Sequence, residues 1–265
     1  MLIYGSKMYG IKNVVNGVGH CDHCGVYGAH KSYDGRKWGH LYFIPLIPEG
    51  GPVRVMKECA SCNMGSHIPQ EQVGKLYADI EKLMQPCILA ASEGSHSFND
   101  EQGNETYTGP FLHNAVELMY TAGYHREIPE LIGLLDNDVS RFEHGIASGA
   151  FCEIQGDAAG AVACYQVANE ADPDQPFPYL LLADFNGRAG RSEEQLMMLE
   201  KAIEFEPENP NLLLAKIDPL ERLNRYQDIL VVMEQAQAMA PGLAQDKQYN
   251  KQRKKFEKKA AKAMR

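Results

Sequence analysis

The chain has 265 residues, of which 44% are hydrophobic, and its formal net charge is −9. That length can bury a sizeable core and predicts one or two domains. No apolar run approaches the roughly 20 residues that span a bilayer. The first twenty residues, interrupted by Lys7, Tyr9, Lys12 and Asn13, lack the continuous apolar block of a signal peptide. The composition therefore predicts a soluble, cytoplasmic protein.

The charge is divided unevenly along the chain. Residues 1–70 contain 7 basic and 4 acidic side chains, residues 71–243 contain 10 and 29, and residues 244–265 contain 9 and 2. The acidic middle should repel nucleic acid and anionic membranes, whereas either basic end could attract them.

Residues 1–68 alternate short apolar runs with turn residues, a pattern that predicts a small antiparallel sheet. We expect a strand over residues 1–4, and a hairpin in which residues 27–33 pair with residues 37–47 across a turn at Asp34 and Gly35. Two prolines place residues 41–48 at a sheet edge or bend. A further turn is expected at residues 49–52, before residues 53–57 return toward the second cysteine pair. Trp38, Phe43 and Ile44 are the expected core.

Two Cys-x-x-Cys pairs, Cys21 with Cys24 and Cys59 with Cys62, enclose most of this segment. Four thiolates in two such pairs can bind one divalent ion, and the spacing predicts a tetrahedral zinc site. Four sulfurs fill the coordination shell of zinc, so one structural ion is expected rather than a catalytic one. Gly25 and Asn63, which follow the pairs, tolerate the left-handed turn that closes each loop.

Other interpretations of these cysteines are a redox dithiol, two disulfides or four unrelated thiols. A reducing compartment favours metal over disulfides. His20, His23 and His67 lie near enough in sequence to be substitute ligands, although polar neighbours are the simpler interpretation when four cysteines are present. Cys87, Cys152 and Cys164 fall in helix-like apolar settings and are expected to be buried, inert thiols.

The first quarter of the chain contains the motifs Cys21-x-x-Cys24-Gly25, Arg36-x-Trp38, the Phe-Ile-Pro-Leu-Ile-Pro run at residues 43–48, and Cys59-x-x-Cys62. In these motifs it resembles a family of bacterial zinc-ribbon proteins. Asn63 stands where the family usually has glycine. The resemblance implies a zinc-binding ribbon but no particular reaction, because zinc ribbons occur in many unrelated proteins.

After the ribbon, residues 69–84 have the apolar spacing of a helix, which Pro86 is expected to kink or end. Residues 92–109 are polar and glycine-containing, and they predict a mobile linker.

From about residue 108 onward the sequence repeats every 34 residues, the period of tetratricopeptide repeats. Pro173, Pro207 and Pro241 share one register position, and so do three alanines, three turn residues and three large apolar residues. These sets are Ala168, Ala202 and Ala236; Gly156, Gly190 and Asn224; and Tyr165, Leu199 and Met233. About four helix pairs are predicted over residues 108–243, with the first pair degenerate. A generic helical bundle is the alternative.

Residues 244–265 are rich in lysine, with a weak apolar stripe at Tyr249, Phe256 and Ala260. We expect a helix that caps the last repeat. The alternatives are a tail that binds RNA or a membrane surface, and a tether onto the acidic repeats.

These elements predict a multidomain α+β chain: a small β zinc ribbon at residues 1–68, a helix and linker at 69–107, an all-α array similar to tetratricopeptide repeats at 108–243, and a basic capping helix or tail at 244–265. No catalytic motif is present, so we expect a protein that is not an enzyme.

Function is then expected from surfaces. In tetratricopeptide arrays the first helix of each unit lines a groove, and the register places eight residues there: Glu153, Leu180, Asp184, Arg188, Leu214, Asp218, Glu221 and Arg222. This acid-leaning set favours a basic or apolar-basic peptide. We therefore expect an adaptor or scaffold that binds a protein partner. The alternatives are a nucleic-acid- or ribosome-associated factor that uses the basic ribbon and tail, and an accessory subunit of an enzyme.

Overall fold

The computed structural model describes the backbone of residues 4–41 and 44–263, and the side chains of residues 6–40 and 47–263. The chain divides into two compact units, the first ending at Ala168 and the second beginning at Asn169. The first unit contains an antiparallel sheet and helices, and the described part of the second is helical. An α+β fold with a sheet at the N-terminal end confirms the predicted fold class. The domain boundaries expected at residues 68, 107 and 243 stay predictions.

Four strands form one antiparallel sheet in the order β1-β2-β3-β4. They span Tyr4–His20 (β1), Tyr27–Leu41 (β2), Ile44–Cys59 (β3) and Ser66–Pro69 (β4). Within the described residues, β4 pairs only with residues 53–56 of β3. The part of β3 that contains Pro45 and Pro48 therefore has one neighbour, β2, which is the edge position predicted for these prolines.

Two turns predicted in this sheet are wrong. Asp34 and Gly35 lie inside β2, opposite Arg54 and Val53 of β3. Residues 49–52 lie inside β3, where the register against β2 shifts and Gly50 has a φ of +86°. A bulge takes up extra residues without ending a strand, so β3 continues to the second cysteine pair.

The core of the sheet also differs from the prediction. Val15, Tyr33, Val55 and Met56 are buried, whereas Trp38 is only half-buried, with its ring 5.7 Å from the guanidinium carbon of Arg36. Phe43 and the side chain of Ile44 lie outside the described residues, as do residues 1–3 of the predicted first strand.

Two helices pack on this sheet, α1 at Gln70–Ser92 and α2 at Thr108–Ala122. Met56 of the sheet, Val73 of α1 and Ala122 of α2 form one apolar cluster. Pro86 was expected to kink or end α1, and the second of these alternatives is wrong, because the helix continues to Ser92. A proline inside a helix removes one backbone hydrogen bond, and the burial of Cys87, Ala90 and Ala91 beyond it offsets that loss.

Residues 97–107 form a two-stranded hairpin where an irregular linker was predicted. Its strands are β5 (Ser97–Asn99) and β6 (Glu105–Tyr107). Asp100 accepts hydrogen bonds from the amides of Gln102 and Asn104, which shapes the turn. The buried ring of Phe98 packs edge to face on Phe111, so one apolar side chain fixes the hairpin on α2.

The first unit continues with α3 (Ile128–Leu134), α4 (Arg141–Ile154) and α5 (Ala158–Ala171), which extends past its end. At the 34-residue register position of Gly145 the other helix pairs have the large residues Phe111, Tyr179 and Leu213, and close packing against α5 explains the glycine. A β-carbon at Gly145 would lie 2.8 Å from the Ala168 nitrogen, and one at Gly149 would overlap the Tyr165 ring. These two glycines let the helices of this hairpin approach closely.

The second unit contains α6 (Pro176–Arg188), α7 (Ser192–Phe205), α8 (Pro210–Ala215), α9 (Ile217–Arg222) and α10 (Tyr226–Met239), followed by a 3₁₀ turn (Pro241–Gln245) and α11 (Lys247–Ala263). α8 and α9 together occupy the place of one first helix. Pro219 explains the break between them, because it has no N–H to donate to the carbonyl of Ala215.

The predicted 34-residue period is confirmed. α5, α7 and α10 begin at Ala158, Ser192 and Tyr226, and each ends two residues before its proline. The turn residues Gly156, Gly190 and Asn224 all have positive φ, at +84°, +73° and +58°. The three register alanines are fully buried. Four helix pairs are present in the described chain, and the first, α2 with α3, is the irregular one.

The C-terminal helix packs as the capping interpretation requires. Its predicted stripe of Tyr249, Phe256 and Ala260 is buried, and Phe256 joins the apolar cluster of α10 that includes Ile229 and Met233. The Tyr249 hydroxyl donates to the carbonyl of Met233. α11 therefore covers the last hairpin of the second unit.

Candidate functional site

Each cysteine pair forms a tight turn of the same design. The amide of Gly25 donates to the carbonyl of Cys21 at 2.8 Å, and the amide of Asn63 donates to the carbonyl of Cys59 at the same distance. Gly25 has a φ of +70° and Asn63 a φ of +55°, which confirms the left-handed conformation predicted at both positions. The first turn joins β1 to β2, and the second follows β3.

The two turns bring all four sulfurs together. Every pair of Sγ atoms among Cys21, Cys24, Cys59 and Cys62 lies within 4.8 Å. Cys21 Sγ is 3.7 Å from Cys62 Sγ, and Cys24 Sγ is 3.9 Å from Cys59 Sγ. A tetrahedron with metal–sulfur bonds of about 2.3 Å has sulfurs about 3.8 Å apart. The cluster could therefore hold one metal ion.

Backbone amides point at the sulfurs. The amides of His23 and Cys24 lie 3.4 and 3.5 Å from Cys21 Sγ. They lower the pKa of the Cys21 thiol. The amides of Cys62 and Ser61 lower the pKa of Cys59 to about 6. N–H donors stabilise the thiolate, which is the form that binds metal.

The pKa of the Cys62 thiol shifts in the opposite direction. The amide of Met64 acts to lower its pKa, but burial and the neighbouring thiols outweigh that amide and raise the pKa to about 12. Negative charge on one sulfur opposes ionisation of the next. A divalent cation would remove that opposition, so the chemistry of this donor set fits a metal ion.

Lys57 links the first turn to helix α2. Its ammonium group lies 3.3 Å from Asp22 and 2.6 Å from Glu117 of α2. Burial acts to lower the pKa of Lys57, but the two carboxylates outweigh it and raise that pKa. The turn that carries Cys21 and Cys24 is thus tied by charge to the first helical hairpin.

Within the described chain, the metal-binding group contains these four cysteines and no histidine. His20, His23 and His67 are exposed, and the ring of His20 packs edge to face on Tyr27 instead. Of the other cysteines, Cys87 is fully buried and burial raises its pKa to about 12. Cys152 and Cys164 are only half-buried, which is less than predicted.

The eight residues predicted to line a partner groove fall in both units. Glu153 is the one member in the first unit, and its carboxylate accepts a hydrogen bond from the Tyr165 hydroxyl at 3.0 Å and lies 3.7 Å from His113. In the second unit Leu180 and Leu214 pack against the apolar clusters there. Those two leucines contribute to the core of the second unit.

Four of the five charged members in the second unit pair with one another. Asp184 lies 3.2 Å from Arg188 on α6, and Asp218 lies 2.6 Å from Arg222 on α9. Arg222 also donates to the carbonyl of Gly187 at 2.6 Å, which brings the end of α6 next to α9. Both aspartates of the predicted groove therefore have an arginine as an ion-pair partner, and the groove itself stays a prediction.

Glu221 is occupied by the C-terminal helix. Its carboxylate lies 2.8 Å from the ammonium group of Lys255 and 2.7 Å from that of Lys259. The hydrogen bonds from these lysines lower the pKa of Glu221. α11 therefore contacts the predicted partner surface through charge as well as packing on α10.

A buried polar network was missed by the sequence analysis. Arg54 of β3 donates to the carbonyl of Thr121 in α2 at 3.0 Å and to the carbonyl of Asn13 at 2.9 Å, and it pairs with Asp34 at 3.1 Å. The signal that could have indicated it is an arginine at a strand position flanked by Val53 and Val55. Such an arginine needs an acid and several carbonyls if it is buried.

No known protein family and no curated protein matches the chain. Solved structures that match include MamA, residues 41 to the end, from Desulfovibrio magneticus RS-1. The identity is 14%, the similarity covers 72% of this chain and 93% of that chain, and the TM-score is 0.36. A TM-score this low carries no argument about fold or function. The class of protein is therefore defined by its own elements, a sheet with a four-cysteine cluster followed by helical hairpins with a 34-residue period.

The part of the chain that the structure describes contains no helix that is both long enough and apolar enough to cross a membrane.

Proposed function

We propose that the four cysteines bind one structural zinc ion, and that the protein is a cytoplasmic, non-enzymatic adaptor that binds a protein partner through its helical hairpins. The observation that carries the proposal is the tetrahedral spacing of four sulfurs in two matching turns. Four sulfur ligands leave no position on zinc for water or substrate, so the ion would support structure rather than a reaction.

Zinc is the preferred occupant for chemical reasons. Tetrahedral sites of four thiolates select zinc or iron, and zinc has no redox chemistry of its own. The sulfur–sulfur distances of 3.7 and 3.9 Å are those of two ligands on one metal ion, whereas a disulfide bond is about 2.05 Å long. The thiolates also need the reducing compartment that a cytoplasmic location supplies.

The ion would hold together a sheet on which the first hairpin depends. Only four strands and a few buried apolar side chains form this sheet, which is little core for an independent module. Arg54 and Lys57 connect it to the carbonyl of Thr121 and the carboxylate of Glu117 on α2. A metal that fixes the strand ends would therefore also fix the position of α2.

The partner is a protein segment, because helical hairpins of this period provide extended surfaces rather than enclosed pockets. The candidate contacts in the second unit are the charged ends of α6 and α9, at Asp184, Arg188, Asp218 and Arg222. Each of the two aspartates already pairs with an arginine. Charged groups of a partner would therefore replace these intramolecular ion pairs with intermolecular ones.

Affinity capture with the double variant Asp184→Lys and Asp218→Lys tests this surface. The matched control is the double variant Glu194→Lys and Glu234→Lys. It makes the same change in charge at exposed positions on α7 and α10. We expect the first variant to lose partners that the control retains. Identical captured proteins for wild type and both variants would count against the adaptor function.

A second candidate function is supported by the exposed lysines of α11. Lys247, Lys251, Lys254 and Lys258 lie three or four positions apart and border one open surface, which is the spacing of one helix face. This stripe favours a polyanion such as RNA. Binding of a short single-stranded RNA should then weaken steeply with salt, and absence of binding at low salt would exclude this candidate.

A further inference from the structure

A groove between α1 and α3 lies outside every surface discussed so far. It has a volume of about 250 Å³, and its lining comes from α1, from Met119 of α2, and from the segment that contains α3. Ile80, Met84, Met119 and Leu131 form a buried apolar floor. All of these residues belong to the first unit.

The groove exists because the second helix of the first hairpin is short. α3 has 7 residues, whereas the corresponding helices α5, α7 and α10 have 14 each. The chain after α3 turns at residues 135–140 and begins α4. α3 is thus half as long as the helix that the 34-residue repeat predicts at this position. Leu134, at the end of α3, is 63% exposed.

The rim of the groove is acidic. Glu81 on α1, and Glu127 and Glu130 at the start of α3, line it, and no basic side chain does. None of these three carboxylates makes an ion pair or hydrogen bond with a described residue, and Glu127 Oε2 is buried without a partner. Burial raises the pKa of the Tyr77 hydroxyl, and the negative charges of Glu81, Glu127 and Glu130 raise it further. The electrostatic field of all three carboxylates therefore reaches this one hydroxyl group.

We propose that this groove binds a short amphipathic helix of a partner protein, with apolar anchor side chains on one face and lysine or arginine on the other. Apolar residues at helical spacing would fill the floor, as in other helix-in-groove complexes. The basic side chains would pair with Glu81 and Glu130 and supply a donor to Glu127 Oε2. Methionines at the floor adapt to different anchors, which suits a peptide site. The groove lining contains no metal ligand and none of the eight residues predicted to line the partner groove, so absence of peptide binding by the metal-loaded protein would leave the proposed function standing.

The test uses a fluorescent peptide of about 14 residues with leucines at helical spacing and lysines elsewhere. Titration with the full-length protein should show saturable binding. A peptide of the same composition in scrambled order, and one with glutamate in place of lysine, should bind at least about tenfold more weakly.

Variants locate the site. Glu81→Lys combined with Glu130→Lys changes two exposed rim positions and should weaken peptide binding at least about tenfold. Leu134→Glu should weaken peptide binding several-fold, because it replaces an apolar side chain that lines the groove with a charged one. Glu71→Lys combined with Glu93→Lys makes the same change in charge at exposed positions at the two ends of α1, outside the groove. This matched control should stay within about twofold of wild type.

Three results would overturn the proposal. The first is absence of peptide binding at low salt. The second is equal binding by wild type and the double rim variant, since the peptide would then bind elsewhere. The third is self-association of the free protein that Leu134→Glu abolishes, since that result would assign the groove to a second copy of the chain.

Discussion

Arg54 Nη1 lies 3.1 Å from Asp34 Oδ1, and both side chains are almost completely buried where the sheet meets helix α2. The same guanidinium group bonds the carbonyl of Thr121, one residue before the end of α2. A cation at a helix C-terminus is favoured by the helix dipole. One buried arginine therefore connects β2, β3 and the first helical hairpin.

Replacing Arg54 by alanine should destabilise the first unit by about 3–5 kcal/mol, because Asp34 would keep a buried charge without its partner. Urea denaturation followed by circular dichroism measures this free energy of unfolding. The double variant Arg54→Met with Asp34→Leu removes both charges and should recover much of the loss. A loss below about 1 kcal/mol in the single variant would contradict the network.

Alanine at Gly145 should destabilise the α4–α5 hairpin by about 1–3 kcal/mol through overpacking. The new β-carbon would lie 2.8 Å from the backbone nitrogen of Ala168, which cannot move as a flexible side chain can. Gly74→Ala in α1 is the matched control, since nothing lies within 4 Å of its β-carbon. That control should stabilise the protein by up to about 1 kcal/mol in thermal unfolding. Equal effects at both positions would refute the close helix approach.

Truncation of Phe256 to alanine should cost about 3–5 kcal/mol in the second unit, because this ring is 1% exposed against α10. Lys258→Ala on the exposed face of the same helix should change stability by less than about 0.5 kcal/mol. Differential scanning calorimetry of the two variants compares them directly. Similar melting temperatures would mean that α11 does not cap the array.

The sequence predicted the elements that depend on local spacing. One such element is the turn at each Cys-x-x-Cys motif, which Gly25 or Asn63 closes. Another is the set of helix ends marked by prolines and turn residues every 34 residues. Each depends on only a few neighbouring residues, and the structure has the turns and helix ends expected there. Pairing over long distances was not accessible in this way. Asp34 and Gly35 have the composition of a hairpin turn. They lie inside β2 instead, where Asp34 forms a buried ion pair with Arg54, twenty positions later in the sequence.

Burial overrode local signals at other positions. Pro86 has the usual effect of ending a helix, but Cys87, Ala90 and Ala91 continue the buried face of α1 beyond it. Residues 97–107 have a linker composition, yet the hydrogen bonds to Asp100 and the packing of Phe98 on Phe111 hold them as a hairpin. The groove beside α3 exists because the second helix of the degenerate first repeat ends early. The 34-residue period alone does not predict the residue at which that helix ends.

Loss of the metal ligands should affect more than the sheet. If residues 1–68 folded independently of the helices, Cys21→Ser or Cys59→Ser would unfold that segment and leave the helices largely intact. Because Arg54 and Lys57 contact α2, we expect amide hydrogen exchange to quicken in β1–β4 and also in α2. Exchange in α10 and α11 is the internal control and should not change. Quickening confined to residues 1–68 would mean that these contacts do not couple the sheet to α2.

The most direct test of the central claim is metal analysis combined with X-ray absorption at the zinc edge, on protein purified without chelator. The account predicts one zinc ion per chain with four sulfur ligands at about 2.3 Å, and loss of that ion in Cys59→Ser. Protein that contains no zinc, or zinc bound through nitrogen or oxygen, would contradict the account.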